Sequence, residues 1–299
     1  MSELFVVAGA SGNVGSIVAT RLLDAGKKVR VIARNADHLK RWTDRGAEAA
    51  VGSLEDADFV TRAMAGATAA YVLVPPNMSV KGFRAYQNRV AASLVRGVQS
   101  AKVGHVITLS SIGAHLPRGN GPVAGLHDME RAFGELSSTN VLHLRPTYFM
   151  ENHLGSIGAI KQMGMIGGAM KPDLLLPMIA TRDIGEVATQ HLLARDFKGH
   201  WVRELLGPRD ISMNDVAKAF GAAIGKPDLK YTQFPYEDAK KAMMGMGIPE
   251  EMAGLYMEMT RGFNDGIVTA TQPRSPTTQT PTTIEEFART VFAGAFKAS

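Results

Sequence analysis

The chain opens on an apolar run, Leu4–Ala8, that passes directly into Gly9-Ala10-Ser11-Gly12-Asn13-Val14-Gly15, with glycine at every third position. Glycine costs more backbone entropy on folding than any other residue. Repeated at this spacing, it marks a place where side chains would be in the way. Between a strand and an amphipathic helix each glycine has its own use. Gly9 turns the chain sharply out of the strand, Gly12 lets backbone approach a pyrophosphate with no Cβ between, and Gly15 lets the helix lie close on the sheet. The start of the helix then offers unpaired N–H groups and a positive dipole end to phosphates. Ser11, Asn13 and Val14 are expected to line the loop. A tight turn without a ligand is the plain alternative.

Beyond the glycines, β-branched runs alternate with helical patterns. Strands are predicted at Lys28–Ala33, Ala47–Val51, Ala69–Val74, His105–Ser110 and Val141–Arg145. Helices are predicted at Ser16–Ala25, His38–Arg45, Ala57–Ala65, Phe83–Ala101 and Leu126–Leu136, with Asp37 placed to cap the second. This pitch implies βαβ units, right-handed crossovers and a parallel sheet covered on both faces. The expected fold class is α/β: a doubly wound parallel sheet of Rossmann type over residues 1–150, completed by strand and helix segments at about 174–206. Residues 151–173 and 207–299 are expected to form a smaller, mostly helical C-terminal substrate lobe. Within it, Gly155–Gly168 reads as a mobile segment, and Ser212 or Asn214 as the cap of a helix running to about Gly225. Thr271–Thr283, rich in Thr, Pro and Gln, reads as a surface loop, and Ile284–Phe296 as a closing helix.

The end of the second predicted strand reads VRVIARN, with no carboxylate beside Arg34. An acidic residue there would accept from a ribose 2′-hydroxyl and repel a 2′-phosphate, whereas a guanidinium binds the phosphate with a planar fork. NADPH is therefore expected over NADH, with a solvated surface arginine as the alternative. Ligands of such sheets lie at the carboxyl ends of the strands. That places Ser53 and Leu54 near the adenine, Val74 and Pro75 near the ribose and pyrophosphate, and Ser110 with Pro146, Tyr148 and Phe149 near the nicotinamide.

Other classes of function find no support. The net charge of +5 is dispersed, so neither nucleic acid nor a membrane surface is signalled. The absence of cysteine excludes a disulfide framework, a thiolate metal site and a cysteine nucleophile. The histidines are scattered and GxSxG is absent, which leaves no metal site and no hydrolase elbow. No apolar run approaches the roughly 20 residues that span a bilayer, and no leader pattern is evident; a cytoplasmic protein is the expectation. Helix faces such as Phe83–Ala101 leave a homodimer open.

VAGASGNVG followed by IARN, LRPTYFMEN at Leu144–Asn152, TRDIG at Thr181–Gly185 and PTTIEEFA at Pro281–Ala288 together resemble the NmrA-like family of atypical short-chain dehydrogenase/reductases over nearly the whole chain. The resemblance implies an NADP-binding core with a smaller lobe over the nicotinamide. It also implies one of two roles: a reductase of quinones, dyes or similar conjugated acceptors, or an NADP(H)-binding redox sensor acting through a protein partner. The usual short-chain dehydrogenase catalyst is a Tyr with a Lys four residues later, on the helix after the fifth strand. That stretch here is GPVAGLHDMERAF and holds neither. Candidates to replace the pair are Ser110, where the family's serine sits, His127, whose imidazole could exchange a proton near neutral pH, and Tyr148. Each has an ordinary reading too. Ser110 could orient backbone or the cofactor's carboxamide, His127 could be a helix-surface residue, and Tyr148 could pack against the lobe. Arg145 is expected to pair internally with a carboxylate such as Glu151. The expected function is an NADPH-dependent oxidoreductase passing hydride to a quinone-like or other conjugated apolar acceptor, with the non-catalytic sensor as the alternative.

Overall fold

In the computed structural model, which describes residues 3–299, the alternation of the first half becomes a seven-stranded sheet. The strands of the molecule in chain order are β1 (Leu4–Ala8), β2 (Lys28–Ala33), β3 (Glu48–Val51), β4 (Ala69–Leu73), β5 (His105–Leu109), β6 (Asn140–Pro146), β7 (Tyr148–Phe149), β8 (Met165–Gly168), β9 (Leu176–Ile179), β10 (His200–Leu205), β11 (Asp210–Ile211) and β12 (Lys230–Gln233). The large sheet runs β10-β6-β5-β4-β1-β2-β3, and the pairs β1–β2, β1–β4, β2–β3, β4–β5 and β5–β6 are all parallel. Every residue of β1 is buried, as helices on both faces of a parallel sheet require. Those helices include α1 (Asn13–Asp24), α2 (Lys40–Thr43), α3 (Ala57–Met64), α4 (Phe83–Ser100) and α5 (Ala124–Gly134). The strand order reverses between β1 and β4, which sets the topological switch point there. Among the described residues no helix is long and apolar enough to cross a membrane.

The chain forms two units. The first holds the chain up to Pro117, Val123–Arg145 and Ile184–Arg203; the second holds Arg118–Pro122, Pro146–Asp183 and Glu204–Ser299. In the second unit β9 pairs with β7 and β11, and β8 pairs with β12. The segment around Leu174–Ile179, expected to help complete the large sheet, thus belongs to a small separate one. Strands of two to four residues are too short to print an alternating pattern in the sequence. The remaining helices are α6 (Ile157–Met163), α7 (Thr181–Ala194), α8 (Met213–Ile224), α9 (Tyr236–Gly245), α10 (Glu250–Asn264), α11 (Ile284–Phe287) and α12 (Ala293–Ala298), the last two joined by a π turn.

Several local expectations change. Gly155–Gly168 is structured as α6 and β8, and a Cβ on Gly167 would stand 2.3 Å from the Phe234 ring, so that glycine serves close packing. Asn35, not Asp37, is the cap after β2: its side chain accepts the Asp37 N–H at 2.9 Å, which places Asp37 inside the turn. Ser212 rather than Asn214 caps α8, in a reciprocal capping box with Asp215. The segment Thr271–Thr283 is not a surface loop throughout; Thr278, Thr280 and Thr282 are buried. Its threonines go inside because carboxylates receive them. Asp183 accepts the Thr282 N–H at 2.9 Å and hydroxyl at 2.6 Å, and Glu204 accepts the Thr271 N–H and hydroxyl, both at 2.8 Å.

Asp183→Asn is expected to cost about 1–3 kcal/mol in urea unfolding, since the amide leaves one of the two Thr282 donors unpaired. Asp37→Asn, on an exposed residue, should change stability by no more than about 0.5 kcal/mol.

Candidate functional site

The turn after β1 is built as its glycines imply. Gly9 has φ +65°, and a Cβ there would stand 2.6 Å from Leu73 Cδ2. The Gly12 N–H closes the turn onto Gly9 O at 2.9 Å. Gly12 then caps α1 with no side chain on its N–H groups, and the first turn of that helix holds no acidic residue. The positive end of α1 is therefore left open to an anion. Ser11 and Asn13 are exposed beside it, whereas Val14 is buried, so Val14 contributes backbone to the loop and its side chain to the core.

An open cavity, with about 120 Å³ of room for water-sized occupants, runs from this turn across the carboxyl ends of β1–β4. Of the residues expected at the cofactor, Gly9, Ser11, Arg34, Ser53, Leu54 and Pro75 line it, whereas Gly12, Asn13, Val14, Gly15 and Val74 are not among its lining residues. Arg34 is exposed and makes no ion pair among the described residues. The bare turn, the open helix end and the free guanidinium fit a phosphorylated dinucleotide: phosphates at α1 and a 2′-phosphate at Arg34. Sequence reasoning missed Tyr86 and Glu55, which also line the cavity. Tyr86 donates its hydroxyl to Pro75 O at 3.0 Å and pins the loop after β4; Glu55 pairs with Arg89 at 3.1 Å. Neither belongs to a local motif that could have announced it.

At the ends of β5 and β6 lies a buried polar cluster. Ser110 donates its hydroxyl to Glu130 Oε1 at 2.5 Å, and its N–H to Leu144 O at 2.8 Å. Arg145 grips the same carboxylate bidentately, at 2.9 Å to Oε1 and 2.5 Å to Oε2. Burial pushes the Glu130 carboxyl up, but Arg145, the neighbouring His143 and the Ser110 bond hold it below the usual range. His143 shares a 2.7 Å hydrogen bond with Thr108, and burial pushes its imidazole down to about 4. The expected Arg145–Glu151 pair is thus replaced by Arg145–Glu130. Glu151 instead accepts the Thr181 N–H at 2.9 Å and hydroxyl at 2.6 Å.

His127, half-buried on α5, has Nδ1 2.8 Å from Ala114 O. A carbonyl only accepts, so Nδ1 carries the proton and Nε2 of the neutral ring is an acceptor. Pro146, Tyr148 and Phe149 belong to the second unit, and none lines the cavity of the first. Tyr148 stands 5.3 Å from the buried His153 ring, and burial pushes its phenol up to about 12.

A model of the NmrA-like family matches residues 1–288 of the sequence. The chain belongs to the NmrA-like family. Among its relatives is an NAD(P)H azoreductase of Xenophilus azovorans, 28% identical over 267 residues and 86% of either chain. The structure of this NmrA-like protein is similar to that of an NADPH-dependent quinone oxidoreductase from Escherichia coli complexed with NADPH, with a TM-score of 0.82, 20% identity and coverage of 97% of this chain and 99% of that one. It is also similar to a Citrobacter sp. triphenylmethane reductase complexed with NADP(H), with a TM-score of 0.81, 18% identity and coverage of 96% and 99%.

The buried histidines give the fold an acid-sensitive term. His143 and His153, both pushed down to about 4 by burial, refuse protons that an unfolded histidine near 6.5 takes up. Their contribution is therefore intact above about pH 6.5 and lost as pH falls toward 4. The melting temperature should drop steadily between pH 7 and pH 5, and His143→Gln should flatten that slope even if it lowers the midpoint at pH 7.

Proposed function

We propose that this chain is an NADPH-dependent oxidoreductase that passes hydride to a quinone-like or other conjugated apolar acceptor. The observation that carries the reading is one cavity lined both by Gly9 and Ser11 of the glycine turn, which leads into an α1 N-terminus with no side-chain cap, and by Arg34, which makes no ion pair among the described residues. Family membership supports it, as do the azo, quinone and triphenylmethane chemistries named for the similar proteins.

When bound, NADPH supplies the hydride. This chain's residues hold and orient it: α1 and the backbone of Gly9–Gly12 for the pyrophosphate, Arg34 for the 2′-phosphate, Ser53 and Leu54 for the adenine. No Tyr and Lys stand on α5 to deliver a proton. Conjugated acceptors suit such a site, because delocalisation stabilises the charge that hydride brings and water can supply the proton afterwards.

Arg34→Ala is expected to weaken NADPH binding by about tenfold to a hundredfold and NADH binding little. Equal losses would remove the 2′-phosphate assignment. NADPH consumption by the pure protein with a panel of quinones, azo dyes and triphenylmethane dyes tests the activity. Turnover that prefers NADPH and falls in Gly12→Val establishes the reductase; tight NADPH binding with no consumption across the panel would instead favour a redox sensor with a protein partner.

A further inference from the structure

Ser110 directly follows β5, beyond the switch point, on the half of the sheet where a dinucleotide lays its nicotinamide end. A serine hydroxyl has one proton to give and two lone pairs to receive with. An ionised carboxylate only accepts, so the 2.5 Å bond from Ser110 Oγ to Glu130 Oε1 consumes that proton. Glu130 is kept ionised and immobile by the bidentate Arg145, and both side chains are only 10% exposed. The hydroxyl cannot turn without breaking a charge-assisted bond inside the protein.

We infer that Glu130 and Arg145 lock Ser110 as a hydrogen-bond acceptor, and that Ser110 reads the amine of the cofactor's carboxamide rather than donating to the hydride acceptor. The inference rests on NADP(H) binding as proposed above. Glu130 and Arg145 are positioning residues, acting through Ser110. The nicotinamide ring carries one polar substituent, whose NH₂ is a donor and whose carbonyl is an acceptor. An oxygen with its proton committed elsewhere complements the NH₂ and not the carbonyl. Ser110 then also yields no proton to a reduced acceptor. Hydride brings two electrons to the acceptor, and the balancing proton comes from water.

The probe is the 3-acetylpyridine analogue of NADP⁺, in which a methyl replaces the carboxamide amine. Dissociation constants for it and for NADP⁺ are measured by calorimetry on the full chain. Wild type is expected to bind NADP⁺ about fivefold to tenfold more tightly than the analogue. Ser110→Ala should bring the ratio to about one, chiefly by weakening NADP⁺, since a single hydrogen bond is at stake. Glu130→Leu takes the acceptor away and leaves Arg145, which only donates, as the polar neighbour; that frees the serine proton to face the carboxamide amine, so the ratio should collapse there too. A merely structural Glu130 would weaken both ligands alike and leave the ratio standing, which overturns its positioning role. Ser110→Ala keeps the Glu130–Arg145 pair and carries the test if Glu130→Leu does not fold. A wild-type ratio near one, or a ratio unmoved by Ser110→Ala, overturns the assignment of Ser110. Wild type that binds neither nucleotide overturns the NADP(H) reading itself, and this inference with it.

Discussion

A carboxylate that takes both the N–H and the hydroxyl of a single threonine is the bond on which the second unit depends. It occurs at Glu151 with Thr181, at Asp183 with Thr282 and at Glu204 with Thr271. Asp183 and Glu204 are buried, where an ionised carboxyl is tolerated only if its oxygens are well supplied with donors. Each such bond joins segments far apart in the chain. The LRPTYFMEN motif is tied to TRDIG through Glu151 and Thr181, and TRDIG to PTTIEEFA through Asp183 and Thr282. Arg182 reinforces the second tie with a 2.8 Å bond to the Thr282 hydroxyl and an ion pair to Glu286. Three family motifs that look unrelated in the sequence are thus one hydrogen-bonded chain. The same ties hold the strap that leads into α11, so that Phe292 comes to stack on Phe220 of α8 at 3.8 Å.

The first unit divides its polar groups differently. Tyr86 of α4, His127 of α5 and Ser110 after β5 each spend a proton on a protein acceptor. The N-terminus of α1 has no side-chain cap, and Arg34 makes no ion pair among the described residues. Both are positive, and the cavity is lined by Arg34 and by the turn residues Gly9 and Ser11 that lead into α1, a setting that suits an anion.

Much of this was legible in the sequence. A strand covered on both faces reads as a continuous apolar run, as β1 and β4 do, and the alternation of strand-like and helical patterns places β2, β3, β5 and β6 beside them. Arg34 stood out because a position that commonly holds a carboxylate lacked one. The Arg145–Glu130 pair was not legible, because it joins a strand to a helix and no periodicity connects the two residues. Asn35 and Asp37 are both competent caps, and only the backbone path after β2 chooses between them. The Thr-rich strap was read by composition, which does not register that a polar side chain can be buried when a carboxylate is waiting for it. Strands as short as β7 and β11 carry too few residues for any pattern, and their existence depends on partners from other parts of the chain.

The three glycines of the first turn do not answer to the same constraint. A Cβ at Gly15 would stand 2.3 Å from Gly9 O, so the protein itself forbids a side chain there whether or not a nucleotide is present. At Gly12 the nearest atom to such a Cβ is Gly9 O at 3.3 Å, a contact that a small adjustment relieves. A lineage that gave up the nucleotide would therefore be free to drift at residue 12 while still holding glycine at residue 15. Their divergence, rather than the persistence of the motif as a whole, would record the loss of the ligand.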